Sequence, residues 1–171
     1  MMSIRKASPQ DAEVISSIGK TSFEQAHPQA APPDILSTYL ANKFDAKTIE
    51  QELSDDKNLF HVVSYNLSEV GFSKIQFDVE NSFVSASRIA KLERLYLLQE
   101  VHGKRIGQLF YEYIEELAIS EGQSGFWLTV WVNNFRAIRF YEKNGFTIVG
   151  ETQFSLSEGY SNPNHVMLKH F

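Results

Sequence analysis

The sequence of 171 residues contains no cysteine, which excludes disulfides, cysteine metal sites and a cysteine nucleophile. It also has no apolar run of the length that a membrane span requires. The first residues, MMSIRKASPQD, lack the apolar core of a secretory signal. These absences together predict a cytoplasmic protein without a membrane partner.

An excess of positive charge is missing as well. Lys and Arg number 16 against 21 Asp and Glu, so the formal net charge is −5. Because proteins that bind duplex nucleic acid normally present a basic face, we expect no nucleic-acid partner. The five histidines show no paired ligand spacing, so we also expect no metal site; they are His27, His61, His102, His165 and His170.

The composition is that of one ordinary globular domain, with 43% apolar and 22% charged residues. We therefore predict a single domain over residues 1–171. Apolar alternation predicts a short first strand at Ser3–Lys6 and a hairpin of Leu59–Tyr65 with Val70–Phe77. Between them, the breaker-rich HPQAAPP segment and two short helices at Asp34–Lys43 and Asp45–Leu53 suggest a lid over a site, or else plain packing.

The stretch Leu92–Phe146 organises the chain. It reads as a strand, a glycine-flanked loop QEVHGKRIG, an amphipathic helix, the apolar strand Phe126–Val132 and a second helix. N–H groups at a helix start lack partners within the helix, so the loop before the first helix could bind an anion. The apolar face of that helix is predicted from residues at helical spacing, namely Ile106, Leu109, Phe110, Tyr113, Ile114 and Leu117.

The second helix has clear end signals, with Asn134 as its predicted cap and Gly145 as its left-handed stop. The right-handed crossover rule predicts that the strands on either side of the first helix run parallel. With further strands after Phe146, the sequence predicts an α/β fold with a mixed sheet of about seven strands.

Two of these segments resemble known motifs. QEVHGKRIGQLF is similar to the acyl-CoA diphosphate loop, Q/R-x-x-G-x-G/A, of the GCN5-related N-acetyltransferase superfamily. WVNNFRAIRFYEKNGF resembles the second signature of that superfamily, N-x-x-A-x-x-F-Y-x-x-x-G-F. The resemblance implies a mostly antiparallel seven-stranded sheet, flanked by helices, whose parallel central pair is splayed to admit acyl-CoA.

The resemblance further implies an acyltransferase that moves the acetyl group of acetyl-CoA to a primary amine. The combination of LERLYLL with VWVNNFRAIRFYEKNGF looks closest to the polyamine and small-amine branch, so a small molecule such as spermidine is the first expected acceptor. Direct attack in a ternary complex is expected, since no cysteine can carry the acetyl group. The alternatives are another small amine, a protein or peptide N-acetyltransferase, and a non-catalytic acyl-CoA-binding regulator. A homodimer is a reasonable expectation.

For catalysis, the resemblance implies that Tyr141 is the acid that protonates the leaving thiolate. The alternative is an ordinary amphipathic core tyrosine. Glu93, a carboxylate in an otherwise apolar strand, stands where related enzymes carry a glutamate that takes the proton of the amine. Its alternatives are an ion pair with Arg94 or Arg88, or a charge at a strand edge.

The implied cofactor site uses backbone groups of the first strand and of the loop, together with residues of the second helix. Its predicted members are Leu95, Tyr96, Leu97, His102, Gly103, Lys104, Arg105, Ile106, Gly107, Asn134, Phe140 and Tyr141. Two of them depart from the motif, because His102 replaces Gln or Arg and Arg105 replaces the first glycine. We expect Arg105 to adopt an ordinary helical backbone angle and, with Lys104, to favour the diphosphate by charge.

Overall fold

The computed structural model describes residues Met1–Phe171 and contains seven strands and five α-helices. The strands are β1 Met2–Lys6, β2 Leu59–Tyr65, β3 Ser68–Gln76, β4 Ile89–Leu97, β5 Gly125–Trp131, β6 Thr147–Ser157 and β7 Tyr160–His170. The helices are α1 Ala12–Ala26, α2 Pro33–Lys43, α3 Ala46–Leu53, α4 Ile106–Ser120 and α5 Phe135–Lys143. None of the helices is long and apolar enough to cross a lipid bilayer.

All seven strands belong to one sheet, in the order β1-β2-β3-β4-β5-β7-β6. The pairs β1–β2, β2–β3, β5–β7 and β6–β7 are antiparallel. β4 and β5 are parallel, with Ile89–Lys91 opposite Gly125–Trp127. The parallel register covers these three residue pairs, and both strands continue beyond it. The predicted mixed seven-stranded sheet with a parallel central pair is thus confirmed.

The chain forms two compact units. The first unit consists of Met1–Ile75 and Arg94–Glu116, and the second of Gln76–Glu93 and Leu117–Phe171. A single domain over the whole chain stays a prediction.

The first unit begins with β1 and a capped helix start. Ser8 and Asp11 form a capping box, and Arg5 donates two hydrogen bonds to the Asp11 carboxylate at 2.7 and 2.9 Å. The hydrogen bond from Arg5 is the main reason why the pKa of Asp11 is lowered. α1 spans Ala12–Ala26, and Phe23 near its end is buried at 4% exposure.

The helical segment after α1 is fixed by close packing. Phe44 is 1% exposed and lies against Gly19, where a Cβ would come within 2.3 Å of its ring. The predicted cap of α3 is confirmed, since the Asp45 carboxylate accepts hydrogen bonds from the N–H groups of Lys47 and Thr48. The ends of the segment are therefore anchored within the first unit.

The second unit is built on the β6–β7 hairpin and on β5. Its core cluster contains Val84, Ile89, Trp127 and Val166. The indole N–H of Trp127 donates to the carbonyl oxygen of Val79 at 2.7 Å, which ties the irregular segment before β4 to the sheet. β7 begins at Tyr160, and the polar residues before Val166 pair with β6.

The buried face of α4 is rotated from the predicted one. Leu109 and Tyr113 are 44% and 37% exposed, whereas Tyr111, which the apolar spacing omitted, is fully buried. Its hydroxyl donates to the Glu115 carboxylate at 2.5 Å, so the buried ring keeps a hydrogen-bond partner. The residues of α4 buried in the core are Ile106, Phe110, Tyr111, Ile114 and Ala118.

Candidate active site

The loop between β4 and α4 makes a tight series of backbone turns. The N–H of His102 donates to Gln99 at 3.0 Å, and the N–H of Lys104 donates to Val101 at 3.3 Å. Two residues of the loop have left-handed backbone angles, with φ of 79° at Gly103 and 63° at Arg105. Four N–H groups at the end of the loop and the start of α4 donate no backbone hydrogen bond, namely those of Gly103, Arg105, Ile106 and Gly107. The loop therefore presents unpaired donors at the start of a 15-residue helix.

The expectation of an ordinary helical angle at Arg105 was wrong. The chain enters α4 through a left-handed residue, which glycine adopts without steric cost. Arg105 stands at that position with φ of 63°, and an L-residue there loses about 1–2 kcal/mol. The departure from the motif thus changes the side chain but keeps the shape of the turn.

Packing does not account for the two glycines of the loop. A Cβ added at Gly103 would meet no atom within 4 Å. At Gly107 it would meet only the Leu97 side chain, at an ordinary distance of 3.7 Å. The backbone angle accounts for glycine at Gly103, and the space beside both glycines is open to a ligand.

The end of β4 leads into this loop and is held by its neighbours. The N–H of Leu98 donates to Val70 of β3 at 2.9 Å, and the N–H of Gln99 donates to the Gln25 side chain at 2.9 Å. A Cβ on Gly71 would come within 2.5 Å of the carbonyl oxygen of Tyr96, so glycine permits this close approach. The His102 ring lies 3.3 Å from the carbonyl oxygen of Leu97.

The side chain of Tyr96 contributes to an aromatic core. Its ring centroid lies 5.5 Å from that of Phe72, 6.1 Å from Phe44 and 6.5 Å from Phe23. The ring of Tyr96 therefore packs among the aromatic side chains of the first unit.

A buried ionic cluster of the first unit was missed by the sequence analysis. Arg94 is 3% exposed and donates to the two carboxylate oxygens of Glu52 at 2.9 and 3.1 Å. Lys74 donates to the same carboxylate at 2.9 Å. Burial raises the pKa of Glu52, but Arg94 and Lys74 outweigh burial, so the pKa is lowered overall. The sequence did contain a signal, because Lys74 and Arg94 are charged residues within apolar runs. Their shared partner Glu52, however, is 42 residues from Arg94.

The charged neighbours of Glu93 in the sequence have contacts of their own. Arg94 is engaged with Glu52, and Arg88 donates to the carbonyl oxygen of Glu121 at 2.7 Å. Glu93 is half-buried in β4, two residues after Lys91, whose ammonium lies 5.2 Å from the Trp127 ring centroid. Because strand side chains alternate between faces, Glu93 shares the face of Lys91 and Trp127.

α5 carries the second group of predicted residues. Its cap and stop are confirmed, because Asn134 accepts from the N–H of Ala137 at 3.2 Å and Gly145 has φ of 92°. Tyr141 is half-buried, and its ring makes edge contacts with Phe140 at 5.5 Å and Phe146 at 5.4 Å. The ring is thus held on its apolar sides. No group of three or more His, Cys, Asp or Glu side chains that could hold a metal ion is present.

Comparison with known proteins identifies the family. Residues 21–146 match the model of the acetyltransferase (GNAT) family. The chain belongs to this family. An uncharacterised N-acetyltransferase of Mycobacterium bovis is 25% identical over 159 residues, which cover 93% of this chain and 97% of that protein. A Mycobacterium tuberculosis protein of the same description matches equally well. The chain is accordingly an acyltransferase of the GNAT family.

Solved structures agree on the fold. The PaiA N-acetyltransferase of Thermoplasma acidophilum, in complex with coenzyme A, has a TM-score of 0.81 at 22% identity, with 100% of this chain and 99% of that chain covered. NAA60 of Arabidopsis thaliana, in complex with a bisubstrate analogue, has a TM-score of 0.72 at 14% identity, with 99% and 98% covered. These likenesses confirm the GNAT fold.

Proposed function

We propose that this GNAT protein transfers the acetyl group of acetyl-CoA to a primary amine of a small molecule, with polyamines such as spermidine as the first candidates. The observation that carries the proposal is the run of unpaired N–H donors at Gly103 and at Arg105–Gly107. They precede a long helix whose dipole favours an anion, as the diphosphate of coenzyme A requires. The CoA complex of the Thermoplasma relative supports the same assignment.

The residues of the loop and of β4 fit this ligand. The open space at Gly103 and Gly107 allows a diphosphate to approach the backbone. We assign the backbone of Leu95–Leu97 to the pantetheine arm and to the thioester oxygen, which a main-chain N–H would stabilise as charge develops. His102, Lys104 and Ile106 belong to the same loop, and Asn134 and Phe140 are assigned to the cofactor from α5. Bound acetyl-CoA would supply the acetyl group as a thioester and would leave as a free thiol.

Two side chains are assigned to proton transfer. A free alkyl ammonium has a pKa of about 10.4, so at neutral pH the acceptor must lose a proton before it can attack. Glu93 is the base in this proposal, because its carboxylate belongs to β4, the strand whose backbone is assigned to the thioester. Tyr141 is the acid, since a phenol is protonated at neutral pH and can give its proton to a leaving sulfur.

A small acceptor is favoured over a protein by the segment between α1 and α3. Its ends are anchored, because Phe23 is 4% exposed and Phe44 is 1% exposed. The hydroxyl of Ser16 donates to the carbonyl oxygen of Phe44, which adds a polar tie. A fixed wall of this kind suits a compact amine better than an extended peptide. Cytoplasmic location and a homodimer stay predictions.

Thiol release from acetyl-CoA tests the proposal directly, because a chain without cysteine gives no background with a thiol reagent. The panel contains spermidine, lysine, an aminoglycoside and a peptide with a free N-terminal alanine. We expect turnover with spermidine and a loss of about 10²-fold or more in kcat for Tyr141→Phe, as for removal of a general acid. Tyr113→Phe, at an exposed position of α4, is the matched control and should keep wild-type kcat.

Other outcomes would contradict the proposal in distinct ways. Turnover with the peptide alone would make the protein a peptide N-acetyltransferase. Binding of acetyl-CoA by calorimetry without thiol release from any amine would indicate a regulator. Equal kcat for wild type and Tyr141→Phe would remove Tyr141 from the acid role.

A further inference from the structure

A buried amide of the second unit has an unpaired acceptor. Asn164 of β7 is 6% exposed, and its Oδ1 has no hydrogen-bond partner. Most buried polar atoms of native proteins are paired, because an unpaired one loses its hydration without compensation. A residue that breaks this rule is a candidate for ligand binding.

The register of the sheet defines the face on which Asn164 lies. Asn164 is opposite Trp131 of β5 and opposite Thr152 of β6. Cross-strand partners share a face, and so do residues two apart along a strand. Asn164 therefore shares the face of Val166, which packs in the core cluster with Trp127.

The proposed base lies on this same face. Ile89 of β4 belongs to the cluster of Trp127 and Val166, and the ammonium of Lys91 lies over the Trp127 ring. Alternation along β4 then assigns Glu93 to the face of Asn164. In the sheet order, β4 and β7 are the two neighbours of β5. One face of three adjacent strands thus carries a carboxylate and an unpaired amide oxygen.

We propose that Asn164 binds the acceptor amine, with Oδ1 of Asn164 accepting a hydrogen bond from one N–H group of the amine. This inference rests on the proposed function. A neutral primary amine has two N–H groups and one lone pair, so a hydrogen bond to Oδ1 orients the nitrogen and leaves the lone pair for attack. Asn164 is a binding residue for the amine, whereas Glu93 accepts its proton.

The test compares spermidine kinetics at saturating acetyl-CoA for wild type, Asn164→Leu and Asn164→Asp. Leucine has a similar volume but no acceptor, so the KM for spermidine should rise about tenfold, the usual worth of one hydrogen bond. The KM for acetyl-CoA should stay unchanged. Asn164→Asp keeps an acceptor oxygen of nearly the same shape and should hold the KM for spermidine within about threefold of wild type.

A stability measurement separates binding from a structural role. Because Oδ1 has no partner in the free protein, Asn164→Leu should keep or raise the thermal midpoint. Ser161→Ala, at an exposed position of the same strand, is the matched control and should leave both KM values unchanged. A lowered midpoint with wild-type KM for spermidine would overturn the inference.

The inference and the proposed function fail in different ways. If wild type releases thiol with spermidine and Asn164→Leu has the same KM, only the role of Asn164 is overturned. If wild type releases thiol with no amine of the panel, the proposed function is overturned and the inference falls with it.

Discussion

Each of the two units of this acetyltransferase contains a buried polar group that can be compared with the other, one paired and one unpaired. In the first unit, the Glu52 carboxylate accepts hydrogen bonds from Lys74 and Arg94, all three side chains being largely buried. In the second unit, the buried Oδ1 of Asn164 has no partner. Removing one member of a paired buried cluster leaves a buried charge without its partner, which lowers stability strongly. An unpaired buried atom lowers stability, and the proposed acceptor amine would pair the one at Asn164.

The first unit also contains an exception that sharpens this comparison. His61 of β2 and Ser73 of β3 are register partners, and both are buried. His61 Nδ1 and Ser73 Oγ have no hydrogen-bond partner. Unpaired buried atoms are thus not confined to one unit, and the stability effects below distinguish the paired cluster from the unpaired positions.

The largest effect is expected at the paired cluster. Glu52→Ala leaves two buried cations without their shared carboxylate, so the free energy of unfolding should fall by about 3–5 kcal/mol. Urea denaturation at neutral pH measures it. Glu50→Ala, at an exposed position of the same helix, is the control and should change little. A loss for Glu52→Ala no larger than that of the control would break the comparison.

A smaller effect is expected at His61 and depends on pH. Burial, with a contribution from Lys6, lowers the pKa of His61 from 6.5 to about 4. Between these values the unfolded chain binds a proton that the folded protein does not, so stability falls as the pH falls below about 6.5. At about pH 5 the loss should be about 2 kcal/mol relative to about pH 7.5.

The variant His61→Leu should remove that part of the pH dependence, because leucine cannot bind the proton. Urea denaturation at the two pH values checks this, with His170→Leu, at an exposed position, as the control. An unchanged pH dependence in His61→Leu would show that another group is responsible.

The smallest effect concerns the loop before α4. Arg105→Gly removes an L-residue from a φ of 63° and should raise the free energy of unfolding by about 1 kcal/mol. If backbone N–H groups bind the diphosphate, the KM for acetyl-CoA should change by less than about tenfold, the worth of one charge-assisted hydrogen bond. Arg105→Lys keeps both the charge and the strain, and is the matched control. If the KM for acetyl-CoA rose strongly in Arg105→Gly but not in Arg105→Lys, the diphosphate would be bound by the side chain of Arg105.

Local signals in the sequence predicted much of the fold. Asn134 and Gly145 bound α5 as expected, and Asp45 caps α3, because capping depends on residues within a few positions. The parallel pairing of β4 and β5 followed from the handedness of crossovers. The buried face of α4 was less well predicted, since Tyr111 carries a polar hydroxyl, which donates a hydrogen bond to Glu115 in the fold.

The parts that sequence reasoning missed depend on long-range contacts. The partner of Arg94 is Glu52, on a helix far away in the chain, so the buried cluster could not be found from either apolar run. Asn164 lies in a polar stretch, YSNPN, that resembles a loop until its pairing with β6 is known. The angle of Arg105 was mispredicted because side-chain identity suggested a helix start, whereas the turn determined the backbone.

The division of the chain into two units has a consequence for synthesis on the ribosome. The chain passes from one unit to the other at three places, after Ile75, after Glu93 and after Glu116. The first unit cannot acquire all its segments until residue 116 has emerged, and the second unit needs residues up to the C-terminus. Until residue 116 has been made, the first strands of the nascent chain therefore lack some of the contacts that they have within the first unit. Each unit therefore completes its set of contacts only after a later stretch of the chain has been made.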